Sequence, residues 1–228
     1  MRIAAESLDF AYPGGRPVFR GLAWTIEPGD LWFLVGPSGS GKTTWLRLCL
    51  GLVRPTGGRL TVDGLDMGNA RGPELYRLRR KTGVVFQELR LFLHQTAFDN
   101  VAVSLRLLGR SGPEVRSRTL EALAAVGLAG FEERPVSTLS YGQQQRVAFA
   151  RAWVRRPRLL LADEPTGNLD AATAESVLDL VAAMREDGAT VIVTTHDRRL
   201  LGRLGGKVLE LPSSSPVGGD SPAGLPVR

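Results

Sequence analysis

Apolar residues along the chain form short strand-like runs that alternate with helical patterns. Residues 3–12 and 22–26 alternate loosely on either side of a Tyr-Pro-Gly-Gly segment, which predicts two strands joined by a turn. Residues 31–35 form a continuous apolar run before glycine-rich sequence, a pattern typical of a buried strand in a parallel or mixed sheet. Apolar positions then recur at helical spacing over residues 42–52, so strand, loop and helix follow one another as in half of a βαβ unit.

The rest of the chain divides into a helical middle and α/β flanks. Helical patterns cover residues 97–108, 114–126, 143–154 and 171–185, and strand patterns cover 83–86, 159–162, 190–194 and the surroundings of 208–209. We therefore predict a nucleotide-type α/β core that is interrupted by a helical region of about residues 88–156, in a single domain over residues 1–211. Residues 212–228 are rich in proline, serine and glycine and hold almost no apolar residues, which predicts a disordered tail.

Composition narrows the class of protein. The 228 residues are 43% hydrophobic, enough to fill one sizeable core, and no apolar run approaches the ~20 residues that a membrane-spanning helix requires. No secretory signal precedes the first strand pattern, so we expect a cytoplasmic protein. Cys49 is the only cysteine, which excludes a disulfide framework and a Cys-rich zinc site. A net charge of +6 could suit nucleic acid or an anionic membrane surface, but the arginines are spread along the chain in short groups. This scatter favours ordinary solvated faces, and we expect no nucleic acid partner.

The most specific motif lies between the first buried strand and the first helix. It fits the phosphate-loop pattern and consists of Gly36-Pro37-Ser38-Gly39-Ser40-Gly41-Lys42-Thr43. Glycines let backbone N–H groups turn toward phosphate oxygens, and the N-terminus of the next helix adds partial positive charge. The lysine can reach terminal phosphates and the threonine hydroxyl can hold Mg²⁺. The alternative is a glycine-rich loop without a ligand, and the agreement of motif, strand and helix argues against it.

Two further segments place polar residues where predicted strands end. The strand at 159–162 runs into Asp163 and Glu164, of which the first can face a magnesium ion and the second an attacking water. Taken alone, such a pair is more often the N-cap of a helix. His196 follows the strand at 190–194, and a lone histidine there is more often a capping or surface residue.

A third motif stands at the start of the helix predicted for residues 143–154. It consists of Leu139-Ser140-Tyr141-Gly142-Gln143-Gln144-Gln145-Arg146. A serine and a glycine at a helix start form a second anion-binding end, although an isolated segment of this kind would simply cap a helix. Together with the phosphate loop and the carboxylate strand, however, this segment resembles the signature sequence of ATP-binding-cassette (ABC) ATPases. The resemblance extends over nearly the whole chain, to about residue 211.

The resemblance implies an α/β fold: a P-loop NTPase core of the ABC ATPase type with an antiparallel β subdomain and an inserted helical subdomain. It implies that Glu164 is the general base, that His196 contacts the γ-phosphate and that Gln87 takes part in catalysis beside Mg²⁺ and water. The implied metal ligands are Thr43, Gln87 and Asp163. Tyr12 would stack on adenine, and the implied ATP contacts are Tyr12, Gly36, Pro37, Ser38, Gly39, Ser40, Gly41, Lys42, Thr43, Thr44, Ser140, Gly142, Gln143 and Asp170.

The same resemblance implies a dimer. Family members enclose two ATP molecules between two cassettes in head-to-tail orientation, so we expect a homodimer in the ATP state. Ser140 and Gly142 would complete the site of the opposite subunit. Tyr141 departs from the commoner glycine at its position, which leaves the turnover rate open and keeps a poorly hydrolysing, nucleotide-gated scaffold as an alternative.

Within the family, residues 76–91 and 96–102 look most like the cell-division cassettes of the FtsE type. This implies a separate membrane subunit of the FtsX type, which would bind the groove beside Gln87 and the helical region. The chain would then be peripheral, on the cytoplasmic side of a bacterial membrane. The alternative within the family is the motor of a lipoprotein-release or macrolide-type exporter, because these cassettes share the same catalytic parts. A cassette acting on DNA or ribosomes is disfavoured by the single phosphate loop and the single cysteine.

Overall fold

The computed structural model describes residues 1–167, 169, 171–196 and 199–212. Its strands are β1 (Ile3–Ala11), β2 (Pro17–Ile26), β3 (Leu31–Val35), β4 (Gly57–Val62), β5 (Leu65–Asp66), β6 (Thr82–Val85), β7 (Leu159–Asp163), β8 (Thr190–Thr195) and β9 (Lys207–Glu210). Its helices are α1 (Lys42–Cys49), α2 (Gly72–Arg80), α3 (Ala97–Arg106), α4 (Gly112–Ala125), α5 (Tyr141–Trp153), α6 (Ala171–Glu186) and α7 (Arg199–Leu204), with a 3₁₀ turn at Val136–Thr138.

The strands form two sheets of different kinds. Strands β2, β1, β4 and β5 follow one another in an antiparallel sheet, and strands β6, β7, β8, β3 and β9 form a parallel sheet in that order. A parallel sheet needs long crossover connections, and here helices supply them. No helix within the described ranges combines the length and the hydropathy that crossing a membrane requires.

The register of the parallel sheet sets the position of the site. Val35 of β3 lies opposite Thr195 of β8, and Asp163 of β7 lies opposite Thr194. The carboxyl ends of parallel strands meet at one edge, where ligands bind in open α/β sheets. The loop that follows β3 and the carboxylates that follow β7 therefore lie at the same edge of the sheet.

Strand β3 contributes to two separate hydrophobic clusters, because successive side chains of a strand point to opposite faces. Leu31, Phe33 and Val35 belong to the cluster that includes the buried residues of α3, α4, α5 and α6. Trp32 and Leu34 belong to the cluster that includes the antiparallel sheet and α1. All five side chains are at most 5% exposed, which matches the unbroken apolar run in the sequence.

Aromatic side chains fix α1 against the antiparallel sheet. The ring of Trp45 in α1 lies 4.7 Å from that of Trp24 in β2 and meets Phe19 edge-on at 6.2 Å between centroids. Trp24 in turn meets Trp32 of β3 at 5.1 Å. Offset and edge-to-face pairs of this kind are favourable beyond the area they bury. The helix that follows the phosphate loop is therefore anchored on both sheets.

The helices α3, α4 and α5 pack on one another, and a buried amide connects them to the preceding loop. Thr96 caps α3 by accepting a hydrogen bond from the backbone of Asp99 at 3.0 Å. Asn100 is fully buried; its side chain accepts from the backbone N–H of Phe92 at 2.8 Å and donates to the carbonyl of Phe92 at 3.0 Å. The sequence predicts a helical subdomain over this stretch, and these contacts describe how it is built.

The structure also differs from the sequence-based prediction. The helix predicted to reach residue 52 ends at Cys49, because Gly51 adopts φ +61° and the N–H of Leu52 bonds back to Arg47. Helix α5 begins at Tyr141, two residues earlier than predicted, because Ser140 is its N-cap. Strands β4 and β5 and helices α2 and α7 were absent from the prediction. The predicted disordered tail lies outside the described residues from 213 onward.

Candidate functional site

The phosphate loop occupies the turn between β3 and α1. Two of its positions need glycine because neighbouring atoms leave no room for a Cβ. A Cβ at Gly36 would lie 2.6 Å from the hydroxyl oxygen of Ser40 and 2.8 Å from the carbonyl oxygen of Leu211. Gly41 adopts φ +102°, a conformation that favours glycine, and a Cβ there would lie 2.6 Å from Val18. The loop is therefore held between the antiparallel sheet and the end of β9.

A buried hydroxyl without a partner among the described residues lies beside the uncapped start of α1. Gly41 provides no side-chain cap, and the first turn of α1 contains no acidic residue. The hydroxyl of Ser40 is buried and makes no hydrogen bond within the described residues. Unpaired helix amides and an orphaned buried hydroxyl are unusual and call for an acceptor. A phosphate group fits this arrangement on the chemistry of the loop itself.

Lys42 lies folded back onto the phosphate loop. Its ammonium group donates to the carbonyl oxygens of Gly36 at 2.7 Å and Pro37 at 3.1 Å, and it lies 3.4 Å from a carboxylate oxygen of Glu164. The side chain is only 7% exposed. The lysine thus stands between the glycine-rich loop and the carboxylate that follows β7.

Both carboxylate oxygens of Asp163 are held by hydroxyl groups. Thr43 donates to Oδ2 at 2.9 Å, and Thr194 donates to Oδ1 at 2.6 Å. Asp163 is 3% exposed, so the two bonds fix its orientation in a site with little water. A carboxylate beside a threonine hydroxyl supplies the hard oxygen ligands that Mg²⁺ prefers.

Glu164 stands directly after β7 in a strained conformation. Its φ of +47° is uncommon for a residue other than glycine, and it is supported by Thr194, which accepts from the Glu164 N–H through its carbonyl at 3.1 Å and its hydroxyl at 2.9 Å. The carboxylate contacts Lys42 on one side, and its other oxygen lies 2.5 Å from Nδ1 of His196. Lysine, glutamate and histidine from three separate segments therefore meet at one point. Such strain is typical of functional sites.

Gln87 and Tyr12 border the same region on two sides. Gln87 lines a cleft of about 150 Å³ together with Thr43 and Asp163. The hydroxyl of Tyr12 lies 3.2 Å from that of Thr44, and Arg47 donates to it at 3.2 Å. Both predicted residues thus lie beside the helix that follows the phosphate loop.

The signature residues form the N-terminus of α5. The hydroxyl of Ser140 accepts from the backbone of Gln143 at 3.3 Å, and the side chain of Gln143 accepts from the backbone of Ser140 at 3.0 Å, which makes a complete capping box. A Cβ at Gly142 would lie 2.9 Å from Thr173 of α6, so the helix start is packed closely. Tyr141 is 41% exposed.

No hydrogen bond or ion pair in the described part of the chain joins Ser140, Gly142 or Gln143 to the phosphate loop. A single chain therefore brings together the residues from β3, α1, β7 and β8 but not those of the signature. Asp170, the remaining predicted contact, lies outside the described residues.

Sequence reasoning missed two residues that position the site. Thr194 holds both Asp163 and the backbone of Glu164. The buried side chain of Gln145 donates to the carbonyl oxygen of Pro165, which connects α5 to the segment after Glu164. The position of Thr194, two residues before His196, offered a signal, but its role depends on the pairing of β7 with β8. The sequence around Gln145 offered none beyond its place in the signature helix.

Comparison with known proteins identifies the family. Residues 19–167 match the family model described as ABC transporter. The chain is 41% identical over 217 residues to the cell division ATP-binding protein FtsE of Escherichia coli strain K12, which covers 95% of this chain and 98% of that protein. It is 44% identical over 192 residues to the methionine import ATP-binding protein MetN of Cereibacter sphaeroides, covering 83% of this chain and 54% of that protein.

A solved structure matches over nearly the full length. It is a dimeric, post-hydrolysis state of the ATP-binding cassette MJ0796 bound to ADP and Pi, with a TM-score of 0.84 and 36% identity. The match covers 92% of this chain and 94% of that one. The fold predicted from the sequence, an α/β core of the ABC ATPase type with an antiparallel sheet, is thereby confirmed.

Proposed function

The chain belongs to the ABC transporter family, and from that premise we propose that it binds ATP and Mg²⁺ and hydrolyses ATP to drive a separate membrane subunit. The observation that carries the proposal is the convergence of Lys42, Asp163 and Glu164 at the carboxyl edge of the parallel sheet. A phosphate-binding loop, a carboxylate suited to Mg²⁺ and a second carboxylate for water are the parts that nucleotide hydrolysis needs.

Binding of the triphosphate is assigned to the phosphate loop and its flanks. The free backbone N–H groups of the phosphate loop, to which Pro37 contributes none, and the hydroxyl of Ser40 donate to phosphate oxygens, and Lys42 exchanges its carbonyl partners for the terminal phosphates. Tyr12 stacks on adenine beside Thr44. Thr43 and Asp163 hold Mg²⁺, with Gln87 at the border of the same cleft. When bound, Mg²⁺ neutralises charge on the phosphates.

Proton transfer is assigned to Glu164. Its carboxylate takes the proton of the attacking water, and Lys42 and His196 keep it directed at the phosphate loop. The backbone bonds from Glu164 to Thr194 hold the strained turn in place, so the base is positioned before the substrate arrives.

Completion of the site is assigned to a second copy of the chain. The signature residues Ser140, Gly142 and Gln143 do not contact the phosphate loop of their own chain, and the related cassette MJ0796 is a dimer. We propose that two copies associate head to tail around ATP, with Asp170 at the same interface. Hydrolysis removes the shared phosphate and lets the copies separate.

The partner is assigned to the cell-division class. The similarity to FtsE spans 98% of that protein, which supports an FtsX-type membrane subunit and a position on the cytoplasmic side of a bacterial membrane. A second candidate is methionine import, favoured by the 44% identity to MetN. The cassettes share their catalytic parts, so the membrane subunit is what distinguishes the two functions.

Glu164→Gln tests the hydrolytic role. The amide keeps the shape of the side chain but cannot accept the proton, so we expect turnover to fall by ~10²-fold or more while ATP affinity is kept. The matched control is Glu6→Gln, which changes an exposed glutamate of β1 and should leave turnover intact. Unchanged turnover in the Glu164 variant would remove Glu164 as the base.

The same variant tests the partner. Because it should prolong the ATP-bound dimer, it is suited to capture the membrane subunit from detergent-solubilised bacterial membranes. Retention of an FtsX-type subunit supports the cell-division role. Retention of a methionine-import, lipoprotein-release or macrolide-export subunit instead would assign the chain to that transporter.

A further inference from the structure

The backbone of Glu164 opens a short turn that ends at Gly167. The N–H of Gly167 donates to the carbonyl oxygen of Glu164 at 3.2 Å, which closes the turn, and Thr194 fixes its beginning by accepting from the Glu164 N–H. Glu164 has φ +47° in this turn. A residue other than glycine keeps such a conformation only where its surroundings hold it in place. The carbonyl of Pro165, in the middle of the turn, is where one more hold is attached.

The side chain of Gln145 supplies that hold from helix α5. Its amide is 3% exposed and donates through Nε2 to the carbonyl oxygen of Pro165, which is also buried. A carbonyl oxygen only accepts, so the amide nitrogen is the atom that faces it. The Oε1 of Gln145 has no partner among the described residues, so this bond is the one that satisfies the buried amide there. Breaking it would leave a buried donor and a buried acceptor unpaired, which is costly.

Gln145 is fixed to the start of α5 on one side and to the core on the other. A helix rises 1.5 Å per residue, so the five residues from the N-cap Ser140 to Gln145 span about 7.5 Å of stiff backbone. Val147 and Phe149, which follow in the same helix, are fully buried. The position of the Pro165 carbonyl is therefore tied to a helix that cannot shift without disturbing the core.

We propose that Gln145 is a positioning residue for Glu164. By holding the carbonyl of Pro165, it fixes the turn and so directs the Glu164 carboxylate at Lys42 and the phosphate loop. Within the described residues, Gln145 makes no hydrogen bond to Lys42 or Glu164, so it acts through the turn and touches no reacting group. The role of Glu164 as the base rests on the proposed function, whereas the hold on its turn rests on the contacts of Gln145.

Hydrogen exchange, followed by NMR on the full-length protein without nucleotide, tests the hold directly. Gln145→Met keeps the length and burial of the side chain and removes the donor. We expect the amides of Glu164 and Gly167 to exchange about fivefold faster in this variant, as for the loss of one hydrogen bond. Gln145→Asn, whose amide is one carbon too short to reach, serves if the Met variant does not fold. Unchanged exchange at both amides would overturn the proposal.

The neighbouring glutamine is the matched control for exchange. The side chain of Gln144 donates to the carbonyl oxygens of Val136 and Leu139, at 3.2 and 3.0 Å, and not to the turn after Glu164. Gln144→Met should therefore leave the exchange of residues 164–167 unchanged. Equal acceleration there in both variants would mean that any loosening of α5 has this effect, and it would overturn a specific role for Gln145.

Steady-state kinetics separate positioning from nucleotide binding. A small misplacement of the base affects the chemical step, so Gln145→Met should lower kcat about tenfold and keep KM for ATP within about twofold. Thr82→Val is the control, because it removes another buried donor, to the carbonyl of Leu78 at 3.0 Å, at the far end of β6. This control should keep kcat. A raised KM with normal kcat in the Gln145 variant would assign it to binding and overturn the proposal.

A double variant shows whether Gln145 acts through Glu164. If it does, adding Gln145→Met to Glu164→Gln removes nothing further, because the base is already lost. A purely structural role would lower turnover in either background. A further tenfold loss in the double variant would therefore overturn the proposal.

Failure of this inference and failure of the proposed function give different results. Normal ATP turnover in both the original chain and the Gln145→Met variant contradicts the positioning role alone. Faster exchange at residues 164–167 in the variant, in a chain that does not hydrolyse ATP, contradicts the proposed function and supports the hold on the turn.

Discussion

The first turns of α1 and α5 are both helix N-termini with residues assigned to phosphate, but they are built in opposite ways. Helix α1 follows Gly41, which offers no side-chain cap, and the buried hydroxyl beside it on Ser40 has no partner in the described structure. Helix α5 follows Ser140, whose side chain and that of Gln143 close a capping box. A helix start normally leaves four backbone N–H groups without acceptors. At the start of α1 no side chain accepts from these N–H groups, whereas at the start of α5 the Ser140 hydroxyl accepts from one of them.

The two constructions indicate where each helix start would meet a phosphate. The uncapped start of α1 lies against Lys42, Asp163 and Glu164 of the same chain, so its donors are ready for a phosphate bound there. The start of α5 is capped by its own side chains and, within the described residues, makes no hydrogen bond to any of these three. In the proposed head-to-tail dimer the phosphate at α5 belongs to the ATP of the other copy, so α5 has to be stable before the two copies meet. Four changes test this contrast, from the largest expected effect to none.

Lys42→Ala should have the largest effect, on ATP binding itself. The ammonium group is the only charged donor in the phosphate loop, so we expect affinity for ATP to fall roughly ten- to hundredfold. Isothermal titration calorimetry measures this directly. Lys81→Ala is the matched control, since that exposed lysine pairs only with Asp63 in the described structure. Normal affinity for ATP in the Lys42 variant would contradict the assignment of the start of α1 to the phosphates of ATP.

Ser140→Ala should act on stability and turnover but leave ATP affinity unchanged. Loss of the cap is expected to lower the free energy of unfolding by about 1 kcal/mol, measured in urea. Ser111→Ala is the matched control, because Ser111 precedes α4 without a side-chain capping bond and should cost less. Turnover should fall only in the Ser140 variant. A loss of ATP affinity in the isolated chain would show that Ser140 serves its own phosphate loop.

Tyr141→Gly should have a smaller effect, confined to the dimer. The phenol is exposed at the start of α5, where the opposite copy is proposed to approach, so removing it should ease closure and raise turnover modestly. ATP affinity of the isolated chain should not change. Tyr141→Phe separates ring from hydroxyl. A fall in turnover for Tyr141→Gly would mean that the phenol itself contributes to the shared site.

Truncation after Pro212 should have no effect on ATP turnover, because no residue beyond it carries a motif of the site. Truncation after Glu210 is the informative counterpart. The N–H of Leu211 donates to the carbonyl of Val35 at 2.7 Å, and its own carbonyl packs against Gly36, so its loss should loosen the phosphate loop. Thermal unfolding and ATP turnover, measured on both truncated proteins, distinguish the two truncations. Loss of turnover in the protein truncated after Pro212 would show that residues 213–228 contribute to activity.

Much of this architecture was accessible from the sequence because its signals are local. The apolar run 31–35 matches β3 residue for residue, since a strand buried on both faces needs no alternation. Helix α2 was missed because Leu78 is its only buried residue, so it carries no apolar stripe to recognise. Strand β4 was missed because it begins with two glycines, which disfavour a strand, and pairing with β1 overrides that preference.

Residue types at short, fixed spacings were enough to predict the family, the order of the motif residues and the candidate phosphate loop. The hydrogen bond from Thr194 to Asp163, and the meeting of Lys42 and His196 at Glu164, could be seen only in the folded chain. The fold also brings four arginines from separate segments to one groove: Arg79, Arg90, Arg151 and Arg155. These contacts join segments that are far apart in the chain, and the pairing of non-consecutive strands that creates them follows from burial of the whole core.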